Sequence, residues 1–159
     1  MSEETKKCTL ILMSGDFDHA FAAFTIASTA AAMGMETTMF FTFWGLKPIQ
    51  KGNLTGKGLF GRMVGVMNRG GIDRIGPSKF NFGGIGRWMF KKMMRDKGVA
   101  PLSELRAAAL DMGVKMLACQ MSMDVMEIRQ EDLIDGVTAG VGVAVFLAEA
   151  AESQTTLFI

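Results

Sequence analysis

Cysteine and histidine are scarce in this chain: its 159 residues hold two cysteines, Cys8 and Cys119, and one histidine, His19. Two cysteines do not make a disulfide framework, which points to a reducing, cytoplasmic setting. With no CxxC pair and a single imidazole, the ligands for a zinc cage are missing and no metal is expected. Long apolar runs are missing too. Residues 20–35 are broken by Thr25, Ser28 and Thr29, and residues 136–148 are too few for a hydrocarbon core of about 30 Å. The polar, acidic opening Ser2-Glu-Glu-Thr-Lys-Lys7 has neither the basic nor the apolar part of a secretory signal, so none is expected. There is no internal repeat and no low-complexity tract. A composition 49% hydrophobic and 21% charged then describes one globular domain, residues 1–159, able to bury a core.

Acidic charge is also missing, but only from the middle. Between Lys47 and Lys97, twelve Lys and Arg side chains face only Asp73 and Asp96, while acidic residues dominate the rest. The net charge of +1 hides this split. A basic block on an acidic body implies an anionic partner, a membrane surface or another copy of the chain. No nucleic-acid module accompanies it, so a nucleic-acid partner is not expected.

The apolar pattern alternates between strand and helix. Cys8-Thr-Leu-Ile-Leu-Met13 reads as a strand buried on both faces and closes on the turn signal Ser14-Gly-Asp16. An alanine-rich helix follows over residues 17–33, ended by Gly34, and a β-branched and aromatic strand over 35–43. Strand, helix and strand in this order form a right-handed βαβ unit. Residues 46–98 read as a Gly/Met-rich insertion within the domain, with short amphipathic helices at 59–67 and 85–94. Regularity resumes with a helix over 101–112 and a strand ending at Cys119. A short helix capped by Ser122, a strand over 134–137, a helix over 139–151 and a last strand over 155–159 complete the chain. The expected fold is α/β: a three-layer α/β/α sandwich with a mainly parallel sheet of about five strands.

Ligands of open α/β sheets bind beyond the carboxyl ends of the strands. The segments gathered there are Ser14-Gly15-Asp16, Thr42-Phe-Trp44-Gly45, Cys119-Gln120-Met-Ser122 and Thr138-Ala-Gly140. Cys119 ends a strand and opens onto a helix start, where free N–H groups favour negative charge and lower a thiol pKa. It is the expected nucleophile. Gly15, Asp16, Thr42, Trp44, Gln120, Ser122 and Asp124 are the expected lining, with His19 as a base or cation partner one turn into the first helix. Asp124 would complement the helix dipole yet oppose a thiolate. Cys8 stands at the opposite end of its strand. The stretch Gly52-Asn-Leu-Thr-Gly56-Lys57-Gly58 resembles a phosphate-binding loop, but its glycine spacing is one short and Gly58 replaces the hydroxyl residue. Nucleotide hydrolysis is therefore not expected, and Gly83-Gly-Ile-Gly86 likewise fails the dinucleotide pattern.

Fifteen methionines, several flanking Cys119, and the apolar residues of the insertion give more apolar surface than one small domain buries. Self-association is the first explanation, and membrane contact through the basic insertion the second.

Ser14-Gly-Asp16, Ala31-Ala-Met-Gly34, Phe40-Phe-Thr-Phe-Trp-Gly-Leu46 and Ala118-Cys-Gln-Met-Ser-Met-Asp-Val-Met126 together resemble the DsrE/DsrF/DsrH-like family, over nearly all of residues 8–159. The likeness is to its larger DsrE-type branch with a Gly/Met-rich insertion. The resemblance implies a homo-oligomeric sulfur-relay protein, a sulfurtransferase or carrier, whose cysteine takes sulfane sulfur as a persulfide and passes it to a partner thiol. That cysteine falls on Cys119. Rhodanese-like and TusA-like carriers are the implied partners, and no cofactor is implied. Only Cys8 is available as a second thiol, at the wrong end of the first strand for an intramolecular resolving step. The alternatives are a non-catalytic small-ligand module at the strand ends, or an oligomeric scaffold on a membrane surface.

Overall fold

The computed structural model describes residues 5–159; Ser2, Glu3 and Glu4 of the acidic opening lie outside them. The elements in chain order are β1 (Lys7–Leu12), α1 (Phe17–Ala32), β2 (Glu36–Phe41) and a 3₁₀ turn (Phe43–Ile49). Then come α2 (Leu59–Met67), α3 (Ile85–Asp96), α4 (Leu102–Asp111), β3 (Lys115–Cys119) and α5 (Gln120–Val125). A 3₁₀ turn (Gln130–Asp132), β4 (Val137–Val141), α6 (Val143–Ala151) and β5 (Thr155–Phe158) follow. The five strands form one parallel sheet in the order β4-β3-β2-β1-β5.

That order explains the layers. The chain steps outward from β1 through β2 and β3 to β4, then returns past β1 to β5. Right-handed crossovers put the connections of the outward walk on one face and the returning connection on the other. On the outward face lie α1 and α4. Ala20, Ala23, Ala27 and Ala30 recur at helical spacing along α1, and their small side chains let the helix sit close to the sheet. Phe24 fills the gap against Phe41, ring centroids 6.0 Å apart. Leu10, Leu12, Met39, Met116 and Ala118 complete this core from the strands.

The opposite face carries Ile11, Phe40, Leu117, Cys119 and Val141, packed with Phe146 of α6. Phe40 and Phe146 stack 5.1 Å apart. Beyond them the cover is thin: Val143, Val145 and Leu147 of α6 and Phe158 of β5 are exposed. Parallel sheets are ordinarily covered on both faces, so this one is half dressed.

The insertion is tied to the body by hydrogen bonds. The Phe17 N–H donates to the Gly76 carbonyl at 2.8 Å, and Asp18 accepts from the Ser78 N–H and hydroxyl at 2.8 and 2.6 Å. Glu127 accepts the N–H groups of Lys57 and Gly58 at the start of α2, where a carboxylate also complements the helix dipole. The helices α2 and α3 each bury only a glycine, Gly65 and Gly86. Phe60, Met63 and Met67 on α2 and Ile85, Trp88 and Met93 on α3 remain exposed among Arg and Lys residues. No helix among the described residues is long and apolar enough to cross a membrane.

Four of the differences from the expected element boundaries bear on the strand ends. The second strand ends at Phe41 because Phe43, with φ of 47°, turns the chain out of the sheet. The fourth strand covers Val137–Val141, not 134–137, because its last residue pairs with Cys119 after a register shift. Gly140, at φ of 72°, cannot begin a right-handed helix, so α6 starts at Val143 behind a Gly142 cap. Cys119, not Ser122, occupies the cap position of α5.

Candidate functional site

Cys119 is both the last residue of β3 and the cap of α5. Its backbone stays extended, at φ of −65° and ψ of 122°, and the helix begins on the next residue. A capping serine or aspartate oxygen normally accepts from the second and third N–H groups of a helix, here those of Met121 and Ser122, but the Cys119 side chain makes no such hydrogen bond.

The residue is 4% exposed. Burial pushes the thiol up, yet its pKa lies below the ordinary thiol value. The N–H and hydroxyl of Ser122, the hydroxyl of Thr42 and the N–H of Met121 favour the thiolate and together outweigh desolvation. The hydroxyls of Thr42 and Ser122 lie 2.8 Å apart and bridge the ends of β2 and β3. Either hydroxyl can donate to the other.

The surrounding loops are tightly located. The Thr42 N–H donates to the Leu12 carbonyl at 3.1 Å, and the Gly45 N–H to the Met13 carbonyl at 2.8 Å. A β-carbon at Gly45 would stand 2.0 Å from the Leu12 carbonyl oxygen, so only glycine permits this crossing of the loops after β1 and β2. Beside it, Gly15 is buried against the Trp44 backbone, and the Trp44 side chain is half exposed. On the other side, Gln120 Nε2 donates to Asp124 Oδ1 at 2.6 Å. Gln120 also reaches β4, since a β-carbon at Gly140 would meet its Oε1 at 2.5 Å.

Of the residues expected at the site, the structure joins Cys119, Thr42 and Ser122 directly. Gln120 and Asp124 pair with each other on the exposed side of α5. Gly15, Asp16 and Trp44 sit on the neighbouring loops, with Asp16 accepting the Ser14 hydroxyl at 3.0 Å. His19 is not brought to the thiol: its Nδ1 lies 3.8 Å from Asp18 Oδ2, and Asp18 is already held by Ser78. Sequence reasoning missed the Met121 N–H and the closure by Val141, Phe146 and Gly140, because backbone donors and a register shift leave no mark in residue type.

Cys8 differs on every count. It lies near the start of β1, at the opposite end of the sheet, 2% exposed within the α1 core, and burial alone pushes its thiol up. Among the described residues no group of three or more His, Cys, Asp or Glu is placed to hold a metal ion.

The chain is similar to known proteins over its full length. The chain is 42% identical over 161 residues to the uncharacterised protein YrkE of Bacillus subtilis, covering all of both chains. It is 37% identical over 163 residues to the sulfur carrier protein DsrE2 of Allochromatium vinosum, covering 98% of this chain and 99% of that one. Among solved structures, the ychN protein of E. coli superposes with a TM-score of 0.57 over 98% of this chain and all of its own, at 10% identity, a likeness of fold alone. The profile of the DsrE/DsrF/DrsH-like family matches residues 4–158, and the chain belongs to that family.

Proposed function

We propose that the chain is a sulfur carrier or sulfurtransferase in which Cys119 takes sulfane sulfur as a persulfide and passes it to a partner thiol. The observation that carries this reading is the place of Cys119, a thiol at the carboxyl end of β3 and the start of α5, beside the paired hydroxyls of Thr42 and Ser122. Family membership and the identity to a named sulfur carrier support it.

The step conserves electrons. The Cys119 thiolate attacks the outer sulfur of a donor R–S–SH, forming a new S–S bond while the donor's S–S bond breaks. R–S⁻ leaves with the bonding pair, giving Cys119–S–SH. An acceptor thiolate then attacks that outer sulfur. Discharge regenerates the Cys119 thiolate, the form that the groups of Ser122, Thr42 and Met121 favour. Packing against Phe40, Leu117 and Phe146 keeps water and oxidants from it. The chemistry needs neither metal nor organic cofactor and suits a cytoplasm that keeps thiols reduced.

Rhodanese-like and TusA-like proteins are the proposed donors and acceptors. The half-covered sheet face, with Val143, Val145, Leu147 and Phe158 outside, is the proposed contact between copies in a homo-oligomer. Persulfidated rhodanese should load the reduced chain with one sulfur, and a TusA-like thiol should then discharge it. A Cys119→Ser chain that loads and discharges equally well would refute the proposal.

The exposed apolar residues of α2 and α3, interleaved with basic ones, favour a second role as a membrane-peripheral module. Salt-sensitive flotation with anionic vesicles, lost when residues 58–95 are deleted, is its expected signature. Flotation unaffected by that deletion would exclude it.

A further inference from the structure

We propose that the insertion builds a second site, separate from the thiol, that binds a tetrahedral oxyanion. A cavity of about 290 Å³ opens between the loop after β1, the 3₁₀ turn after β2 and the segments flanking α2 and α3. Its wall carries Lys47, Arg69, Arg74 and Arg87 against a single carboxylate, Asp16.

The four cations come from three segments, the 3₁₀ turn after β2, the loop after α2 and α3, and among the described residues none has a salt-bridge partner. Two of them are held in place by backbone: Arg69 Nε donates to the Gly52 carbonyl at 2.8 Å, and Arg87 Nη1 to the Arg74 carbonyl at 2.6 Å. Each guanidinium is thus fixed by one nitrogen and keeps its other donors for a ligand. A planar fork of this kind matches paired oxyanion oxygens. Lys47 is half-buried; burial pushes its ammonium down, opposed by the Asp16 charge, and a cation so placed gains from a nearby anion. Asn68, on the same wall, carries a buried Nδ2 with no acceptor. Collecting four cations around one concavity costs mutual repulsion, which an anion between them removes.

The site does not rest on the relay chemistry. None of Cys119, Thr42 and Ser122 lines the cavity, which shares only Gly15 and Asp16 with the loops beside the thiol. A bare oxyanion in the cavity therefore does not touch Cys119.

The test uses the full-length Cys119→Ser chain, so that no thiol chemistry contributes. Sulfate, thiosulfate and phosphate are titrated calorimetrically at constant ionic strength, with chloride as the reference. One saturable site for at least one of the three is expected. Arg74→Gln, whose side chain makes no described hydrogen bond, should weaken it about tenfold, the loss of one charge-assisted contact. Arg69→Gln with Arg87→Gln should abolish it, Arg87→Lys should retain part of it, and exposed Lys97→Gln should leave it unchanged. Unaltered thermal unfolding of Arg74→Gln shows that the fold survives. No binding above chloride, or equal binding by Arg74→Gln and Lys97→Gln, would overturn the proposal. A failed sulfur-loading assay would leave it standing, because the thiol takes no part.

Discussion

Cys8 and Cys119 are the same side chain on two parallel strands of one sheet, and both are almost fully enclosed, at 2% and 4% exposure. Their chemistry is nonetheless opposed. Cys8 stands near the amino end of β1, where the backbone donors around it serve the strand ladder. Only desolvation acts on its sulfur. Cys119 stands at the carboxyl end of β3, where the chain leaves the ladder and α5 offers N–H groups with no carbonyl to meet. Two hydroxyls from separate elements join them. Burial alone makes a thiol inert. Burial beside unpaired donors shifts the balance toward the thiolate.

The largest expected effect follows from that contrast. Cys119→Ser should reduce sulfur loading to background, and Cys8→Ser should leave it intact. Loading that survives the first change or fails with the second breaks the comparison. Next come the donors themselves. Ser122→Ala and Thr42→Val should each raise the Cys119 pKa, since each removes a hydroxyl that favours the charged form. The rate of iodoacetamide alkylation at neutral pH should then fall several-fold. Unchanged pH–rate profiles would show that the hydroxyls do not reach the sulfur.

Gly140→Ala should cost about 1–2 kcal/mol, the penalty of a left-handed conformation for a residue with a β-carbon. The Gln120 side chain is flexible and yields more easily than the backbone, so strain dominates. Urea unfolding measures the loss, and a change within error would mean that the backbone relaxes without cost.

The smallest effect is the most diagnostic in sign. Folding lowers the Cys119 pKa, so between its folded and unfolded values the unfolded chain holds more protons and stability rises with pH. Folding raises the Cys8 pKa, so stability falls as pH rises from its unfolded value to its folded one. Above neutral pH the stability of Cys8→Ala should therefore climb relative to the parent chain, and that of Cys119→Ser should decline. Parallel curves for the two variants would contradict the opposed shifts.

Much of this was legible in residue order. The apolar run of β1, the alanine spacing of α1 and the β-branched β2 announce a βαβ unit through local pattern alone. Cys119 could be placed at a strand end because the apolar run before it is short and the residues after it suit a helix. The strand β4 was harder. Val137-Thr-Ala-Gly-Val141 is small and weakly patterned, and its position depends on pairing with β3 across a register shift. The meeting of Thr42 with Ser122 joins residues 80 apart, and no local pattern encodes it. His19, near the right edge in sequence terms, has Asp18 as its nearest carboxylate, Nδ1 to Oδ2 at 3.8 Å, a pairing that residue order does not foretell. The anchoring of α2 by Glu127 from across the chain was equally invisible.

The central claim is that one of two buried thiols is the sulfur acceptor, and peptide-resolved mass spectrometry tests it most directly. The reduced chain, with both cysteines present, is exposed to a limiting amount of a persulfide donor, trapped and digested. The account predicts a single added sulfur atom on the peptide bearing Cys119, removed by an acceptor thiol, and none on the peptide bearing Cys8. Sulfur on the Cys8 peptide, or an equal division between the two, would contradict it.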